Sequence, residues 1–283
     1  MLAIIGGTGI YQLEGLETVA EHELDTPFGS PSAPVLEGQI LEKKLLFLPR
    51  HGRSHELLPS EVNYRANIWA LKKLGATQVI GLSAVGSLQQ EIAPGDLSLP
   101  DQYFDFVKGD REKTFFGKGL AAHVSTAEPT CKCLADGIAR AAQDMGQPLH
   151  RHKTYACVDG PRLGTRAESF FLRGPAGCDL VGMTNVPEVF LAREAQLCYC
   201  TIAIATDYDC WMDDPAQHVS VEQVIARYGA SLEQAKQVLS AYIKSADACA
   251  ASCCCRNSLA GAVLTPREAL NPEQRALLDV LGA

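Results

Sequence analysis

The stretch Cys198-Tyr199-Cys200-Thr201-Ile202-Ala203-Ile204-Ala205-Thr206-Asp207-Tyr208-Asp209-Cys210-Trp211 carries the fold assignment. Up to Ala205 the apolar run is nearly unbroken, as in a parallel strand buried on both faces. Two carboxylates one residue apart follow at the strand's carboxyl end, the edge where ligands sit in open α/β sheets. Burying two acidic groups is costly unless they bind something, and a donor-rich heterocycle such as an aminopurine suits them.

Five further apolar runs end in small, polar or charged residues. Leu2–Ile5 opens into Gly6-Gly7-Thr8-Gly9, where the third glycine of a dinucleotide fingerprint is missing, since position 12 is Gln. That turn reads either as a plain tight turn or as a loop whose N–H groups and Thr8 hydroxyl meet an anion. Lys44–Pro49 leads into Arg50-His51-Gly52-Arg53-Ser54-His55. Its position after a strand favours an oxyanion site over a solvated basic turn, with arginine offering a planar fork of donors. Thr77–Leu82 opens into Ser83-Ala84-Val85-Gly86-Ser87, a turn suited to phosphate or ribose. Lys153–Val158 precedes Asp159-Gly160-Pro161-Arg162-Leu163, and Cys178–Met183 precedes Thr184. Asn185 then reads as a helix cap, with Glu188 three residues on completing a capping box.

A helix is expected from Ser60 to Gly75, another over Cys133–Met145, and a long one from Ser220 towards Ala250. Residues 105–130 lack periodicity and read as a long surface excursion containing His123. No internal repeat or linker divides the chain, so residues 1–283 are expected to form one α/β domain.

Hydrophobic residues make up 47% of the chain and charged ones 20%, an ordinary globular composition. A formal net charge of −8 argues against nucleic acid as partner. No apolar run approaches the ~20 residues of a membrane span, and Leu2-Ala3-Ile4-Ile5 follows the first residue without a basic region. A cytoplasmic protein with no membrane partner is therefore expected. Cysteine numbers 11. Cys131-Lys132-Cys133 and Cys253-Cys254-Cys255 lack the second pair that a structural zinc site would need; a disulfide or a metal is left open there, and reduced thiols are the default in such a compartment.

Taken together, Ile5-Gly6-Gly7-Thr8-Gly9, Arg50-His51-Gly52-Arg53, Asn67-Ile68-Trp69-Ala70-Leu71, Gly160-Pro161-Arg162, Arg166-Ala167-Glu168-Ser169-Phe170, Met183-Thr184-Asn185-Val186-Pro187-Glu188 and Ala205–Trp211 resemble the methylthioadenosine phosphorylases, which belong to the trimeric purine nucleoside phosphorylases. The likeness runs from about Leu2 to about Val224 and fades over the tail, residues 252–283. It implies a single α/β domain with a mixed central sheet flanked by helices, assembled as a homotrimer. It also implies attack of inorganic phosphate, a co-substrate, on C1′ of 5′-methylthioadenosine, with no metal and no organic cofactor.

By the same resemblance Thr8, Arg50, His51, Ser83, Ala84 and Thr184 hold phosphate, Met183 lies along the ribose and Leu163 covers the base. Leu163 stands where the family usually has an aromatic residue. Val219, Val221 and Val224 line the 5′ pocket, which the tail closes, and His123 is lent by a neighbouring subunit. Asp207 and Asp209 read the purine. An ordinary Asp, with a pKa of ~3.9, is protonated about once in a thousand at pH 7; burial beside a second carboxylate raises it, so Asp207 is expected to protonate N7 while Asp209 accepts from the 6-amino group. Asp rather than Asn at 207 favours a 6-aminopurine. Two alternatives stand beside this reading: a 6-oxopurine or methylthioinosine phosphorylase, and a nucleoside-binding protein without catalysis.

Overall fold

Alternation along each strand divides the interior in two. Ala3 and Ile5 face one side and Ile4 the other; Leu46 and Leu48 part from Leu45 and Phe47; Tyr199, Ala203 and Ala205 part from Cys198, Cys200, Ile202 and Ile204. Both faces are covered, which is why these strands read as unbroken apolar runs. The computed structural model describes residues 1–7, 13, 15–212, 221–245, 249–250 and 252–283, and within 221–230 the backbone alone.

The described strands are β1 (Leu2–Gly6), β2 (Glu17–His22), β3 (Val35–Ile40), β4 (Lys43–Pro49), β5 (Gln78–Ser87), β6 (Leu97–Asp105), β7 (Leu149–Cys157), β8 (Leu180–Gly182) and β9 (Cys198–Asp207). They form one mixed sheet in the order β2-β3-β4-β1-β5-β8-β7-β6-β9, and β9 also pairs with β5. The helices are α1 (Tyr64–Lys73), α2 (Lys132–Asp144), α3 (Arg166–Arg173), α4 (Asn185–Glu194), α5 (Val221–Lys244) and α6 (Pro272–Leu281). Residues of α1, α4 and α6 cover one face, and residues of α2 and α5 the other.

β5 organises the site. Its first half lies between parallel β1 and parallel β9; at Gly86 and Ser87 antiparallel β8 takes the place of β1, while Gly86 stays paired with Asp207 of β9. The sheet therefore splits at the carboxyl end of β5. The ends of β1, β4, β8 and β9 gather there, and such a switch point leaves a crevice.

Several expectations need correction. α1 starts at Tyr64, capped by Asn63, whose side chain accepts from the Ala66 N–H, rather than at Ser60. The expected cap Ser220 lies outside the described residues. Asn185 does not cap α4: Thr184 holds that position, and no box forms because the Asn185 and Glu188 side chains turn inward. The excursion at 105–130 is pinned rather than loose. Arg111, Phe115 and Leu120 are buried, and Glu194 accepts from the Thr114 hydroxyl and the Phe115 N–H.

The tail is part of the body. Leu259, Leu270, Leu277, Leu278 and Leu281 join the core beside α1. Gln196, just past the far end of α4 from Thr184, donates to the carbonyls of Leu281 (3.0 Å) and Gly282 (2.7 Å). Leu281→Ala is expected to cost about 2–5 kcal/mol, the range for truncating a buried leucine, measured by chemical denaturation. A cost below about 1 kcal/mol would mean that α6 is an appendage.

Candidate active site

Arg50 is the most deeply held charge at the strand ends. It follows β4, its backbone N–H donates to the Gly6 carbonyl (2.9 Å), and its side chain is 2% exposed. Nε donates to Glu188 Oε2 at 2.6 Å, Nη2 to Glu188 Oε1 at 2.8 Å, and Nη1 to the Leu82 carbonyl at 2.8 Å. Burial alone would depress the guanidinium pKa, but the Glu188 carboxylate against it outweighs that, so the net shift is upward. Tyr199 donates its hydroxyl to the same carboxylate at 2.8 Å. The Nε edge of the arginine fork is thus spent inside the protein. Among the described residues, one N–H on each Nη is left over from its five.

His51, half-buried, places Nδ1 2.9 Å from the Leu57 carbonyl and stacks on His55. A carbonyl can only accept, so Nδ1 carries the proton and Nε2 is the acceptor of the neutral ring. Burial, then the Arg50 charge, push its pKa down to about 4. Ser83, on β5, lies within 3.2 Å of the Tyr155 hydroxyl and 3.5 Å of the Thr184 hydroxyl. Ala84 beside it is exposed. Arg50, through the Leu82 carbonyl, and Thr184, through Ser83, are thus brought together at the strand ends, with His51 and Ala84 next to them in the chain. Thr8 lies outside the described residues.

Three residues further along β5 the chemistry changes sign. A side chain at Gly86 would meet Asp207 Oδ1 at 3.1 Å and Asp209 Cβ at 3.2 Å, so the two acids close directly over this glycine. Asp207 is 4% and Asp209 6% exposed. Asp207 Oδ2 accepts from the Thr206 hydroxyl and Oδ1 from the Asp209 N–H, each at 2.7 Å. Asp209 makes that contact from the left-handed region, at φ 52, where Asp is among the tolerated residues. Burial pushes the Asp209 carboxyl above its ordinary range.

Met183 and the loop before α3 complete the rim. A Cβ at Gly160, which has φ +65, would sit 2.4 Å from Met183 Sδ, so only glycine fits. Gly164, next to the 38% exposed Leu163, lies 3.8 Å from Asp209 Oδ1 on the same construction. Arg111 stitches this rim, donating to the carbonyls of Met183 (2.7 Å), Val186 (2.8 Å) and Asp159 (2.8 Å).

Val219 is outside the described residues; Val221 and Val224 lie on α5, whose first turns have no described side chains. His123 is exposed, with its N–H on the Ala262 carbonyl, and no described contact joins it to the crevice. Glu188, Tyr155, Tyr199 and Arg111 escaped the sequence reading. The only available signal for Glu188 was a glutamate in the block holding Thr184. A separate open groove of about 550 Å³ between α1 and α6 is lined by Trp69, Lys72 and Leu277, and by none of the strand-end residues.

His51 generates a pH prediction. Its folded pKa lies below the ordinary 6.5, so its neutral form stabilises the fold above that value. The contribution is lost as pH falls from about 6.5 towards 4. Its imidazole signals in NMR are expected to titrate with a midpoint near 4; a midpoint near 6.5 would remove the buried, neutral assignment.

Residues 1–244 match the profile of the Phosphorylase superfamily. An S-methyl-5′-thioadenosine phosphorylase from Geobacter sulfurreducens is 44% identical over 281 residues, covering 99% of this chain and 97% of that protein. One from Thermococcus kodakarensis is 50% identical over 226 residues, covering 80% of this chain and 86% of that protein. A solved methylthioadenosine phosphorylase sourced from an antarctic soil metagenomic library superposes with a TM-score of 0.91 at 40% identity, covering 99% of this chain and 98% of its own. Methylthioadenosine phosphorylase from Schistosoma mansoni, solved in complex with adenine, gives 0.81 at 37% identity over 86% of this chain and 90% of its own. The likeness thus extends through the tail instead of fading after the long helix. The chain belongs to the phosphorylase superfamily and, within it, to the methylthioadenosine phosphorylases.

Proposed function

We propose that this chain cleaves 5′-methylthioadenosine with inorganic phosphate, giving adenine and 5-methylthioribose 1-phosphate. One observation carries the reading: β5 bears an anion-suited end at Ser83-Ala84 and an acidic end at Gly86. At 3.3 Å per residue the two ends are ~10 Å apart, the scale of a ribosyl base with an anion beneath it. Relatives named for this reaction, and a neighbour solved with adenine, support it.

In this mechanism phosphate rests against the outward N–H groups of Arg50, the hydroxyls of Ser83 and Thr184, and the backbone at Ala84, with Thr8 closing the site. His51, protonated at Nδ1, meets it through Nε2, accepting the hydrogen of a phosphate hydroxyl. Holding a dianion beneath C1′ is the main contribution, since positioning alone can supply ~7–11 kcal/mol of the barrier. The C1′–N9 bond breaks as a phosphate oxygen bonds to C1′, and the electron pair leaves with the base. Asp207, in its neutral form, donates to N7 at that moment; Asp209 accepts from the 6-amino group. Met183 lies along the ribose, Leu163 covers the base, and Val219, Val221 and Val224 receive the methylthio group. No metal and no organic cofactor takes part in the reaction.

The active unit in this proposal is a homotrimer in the cytoplasm, with His123 reaching a neighbour's site. The exposed Leu163, Phe170 and Phe171 near the rim are apolar surface suited to a subunit contact. Among the described residues no helix is long and apolar enough to cross a membrane.

The test is incubation with 5′-methylthioadenosine, with and without phosphate, followed by separation of the bases. Adenine is expected only with phosphate. Adenine without phosphate would mean a hydrolase, and binding without turnover a nucleoside-binding protein. Asp207→Asn is expected to lower kcat/KM for methylthioadenosine by roughly 10²–10⁴-fold, the ordinary worth of a general acid, and to shift preference towards 6-oxopurine nucleosides. An unchanged base preference would remove Asp207 from the base-reading role. A molar mass by light scattering other than three chains would remove the trimer.

A further inference from the structure

Far from the crevice, at the other end of β9, four cysteines from three segments meet. Cys131 is the residue before α2, Cys198 begins β9, and Cys253 and Cys255 flank the start of a short 3₁₀ turn in the tail. Their sulfurs all lie within 4.8 Å of one another, and Cys131 Sγ is 3.7 Å from Cys253 Sγ. Zinc bound by four thiolates at ~2.3 Å sets its sulfurs ~3.8 Å apart at the corners of a tetrahedron. The four are therefore close to the spacing that one small tetrahedral ion requires. Pairing into disulfides would need only two sulfurs at a time and gives no reason for all four to converge.

We propose that Cys131, Cys198, Cys253 and Cys255 form a structural tetrathiolate site for zinc(II). The surroundings suit it. Cys131, Cys198 and Cys255 are buried in the α2–α5 face of the core, away from water. Cys131 sits at the amino end of a 13-residue helix, whose partial positive charge favours a thiolate. The scaffold fixes the ligands through the backbone: the Cys131 N–H donates to the Tyr199 carbonyl at 2.7 Å, beside Cys198, and the Arg256 N–H to the Cys253 carbonyl at 2.9 Å. Binding replaces four thiol protons with one ion and leaves every oxidation state unchanged. Cys249 lies 3.7 Å from Cys131 but outside the group of four, and is not a ligand. The site ties the tail to the strand whose other end carries Asp207, so it acts on stability and not on the reaction.

The test uses the full chain purified under reducing conditions without chelators. Elemental analysis is expected to give about one zinc per chain, and cobalt(II) exchanged into the site is expected to show the absorption of a tetrahedral tetrathiolate centre. Removal of zinc should lower the melting midpoint and restore on re-addition. Cys198→Ser should abolish zinc retention and Cys249→Ser should leave it intact. Should Cys198→Ser fail to fold, Cys255→Ser and the cobalt spectrum of the parent chain answer the same question. Zinc-free protein that takes up no zinc or cobalt with all 11 thiols titratable would overturn the proposal. So would a thiol count reduced in pairs, which means disulfides, or retention lost in Cys249→Ser but kept in Cys255→Ser.

Discussion

A buried ion pair, Arg50 with Glu188, holds the strand ends in relation to one another. Taking both charges out of water costs several kcal/mol each, and the structure offsets this with a network of short hydrogen bonds. Glu188 accepts from two arginine nitrogens and from Tyr199, while Arg50 also donates to Leu82. Tyr199 in turn receives from Asn185. The network joins the end of β4, the middle of β5, the first turn of α4 and the start of β9. Apolar residues of equal volume could stabilise these elements as well. They could not leave a charged Nη edge fixed at the crevice.

The second constraint is the split in the sheet. β5 changes partner from β1 to β8 near Gly86, so the neighbouring strand ends diverge instead of packing. Side chains from the ends of β4, β8 and β9 then converge on one strand, and β5 supplies small residues, Ser83, Ala84 and Gly86, where they approach. In the proposed reaction this gives each part of the substrate its own stretch of a rigid element. Sites built on strands hold geometry better than sites on loops.

What the sequence revealed follows from burial. β1, β4, β5 and β9 were legible because both faces are covered and the apolar runs are unbroken. β2, β3 and the first half of β7 were not. Glu17, Glu21 and Glu37 face solvent or ion pairs at the sheet edge, and His150, Arg151 and His152 pair with Asp96, Asp136 and Asp101 in a strand that looks like a charged loop. Glu188 illustrates a harder failure. A glutamate at the third helical position fits a capping box locally, yet a buried arginine far away in sequence competes for the same carboxylate and wins, because an uncompensated charge inside costs more than a frayed cap. Arg111 was hidden for a similar reason, since nothing local separates a stitched loop from a solvated one. The four converging cysteines were quoted singly or in adjacent pairs, and only the tertiary fold brings three segments to one point.

These two constraints divide the labour of recognition unequally. The anion-suited and acidic ends both rest on β5 and β9, which are locked by Glu188 at the sides and packed on both faces. In the proposal the residues assigned to the 5′ substituent are apart from those strands in sequence, at positions 219–224 and in a neighbouring subunit. Within this proposed reaction, base reading falls on two carboxyls that are 4% and 6% exposed at the end of a strand covered on both faces, so base preference changes only through a change inside the packed interior.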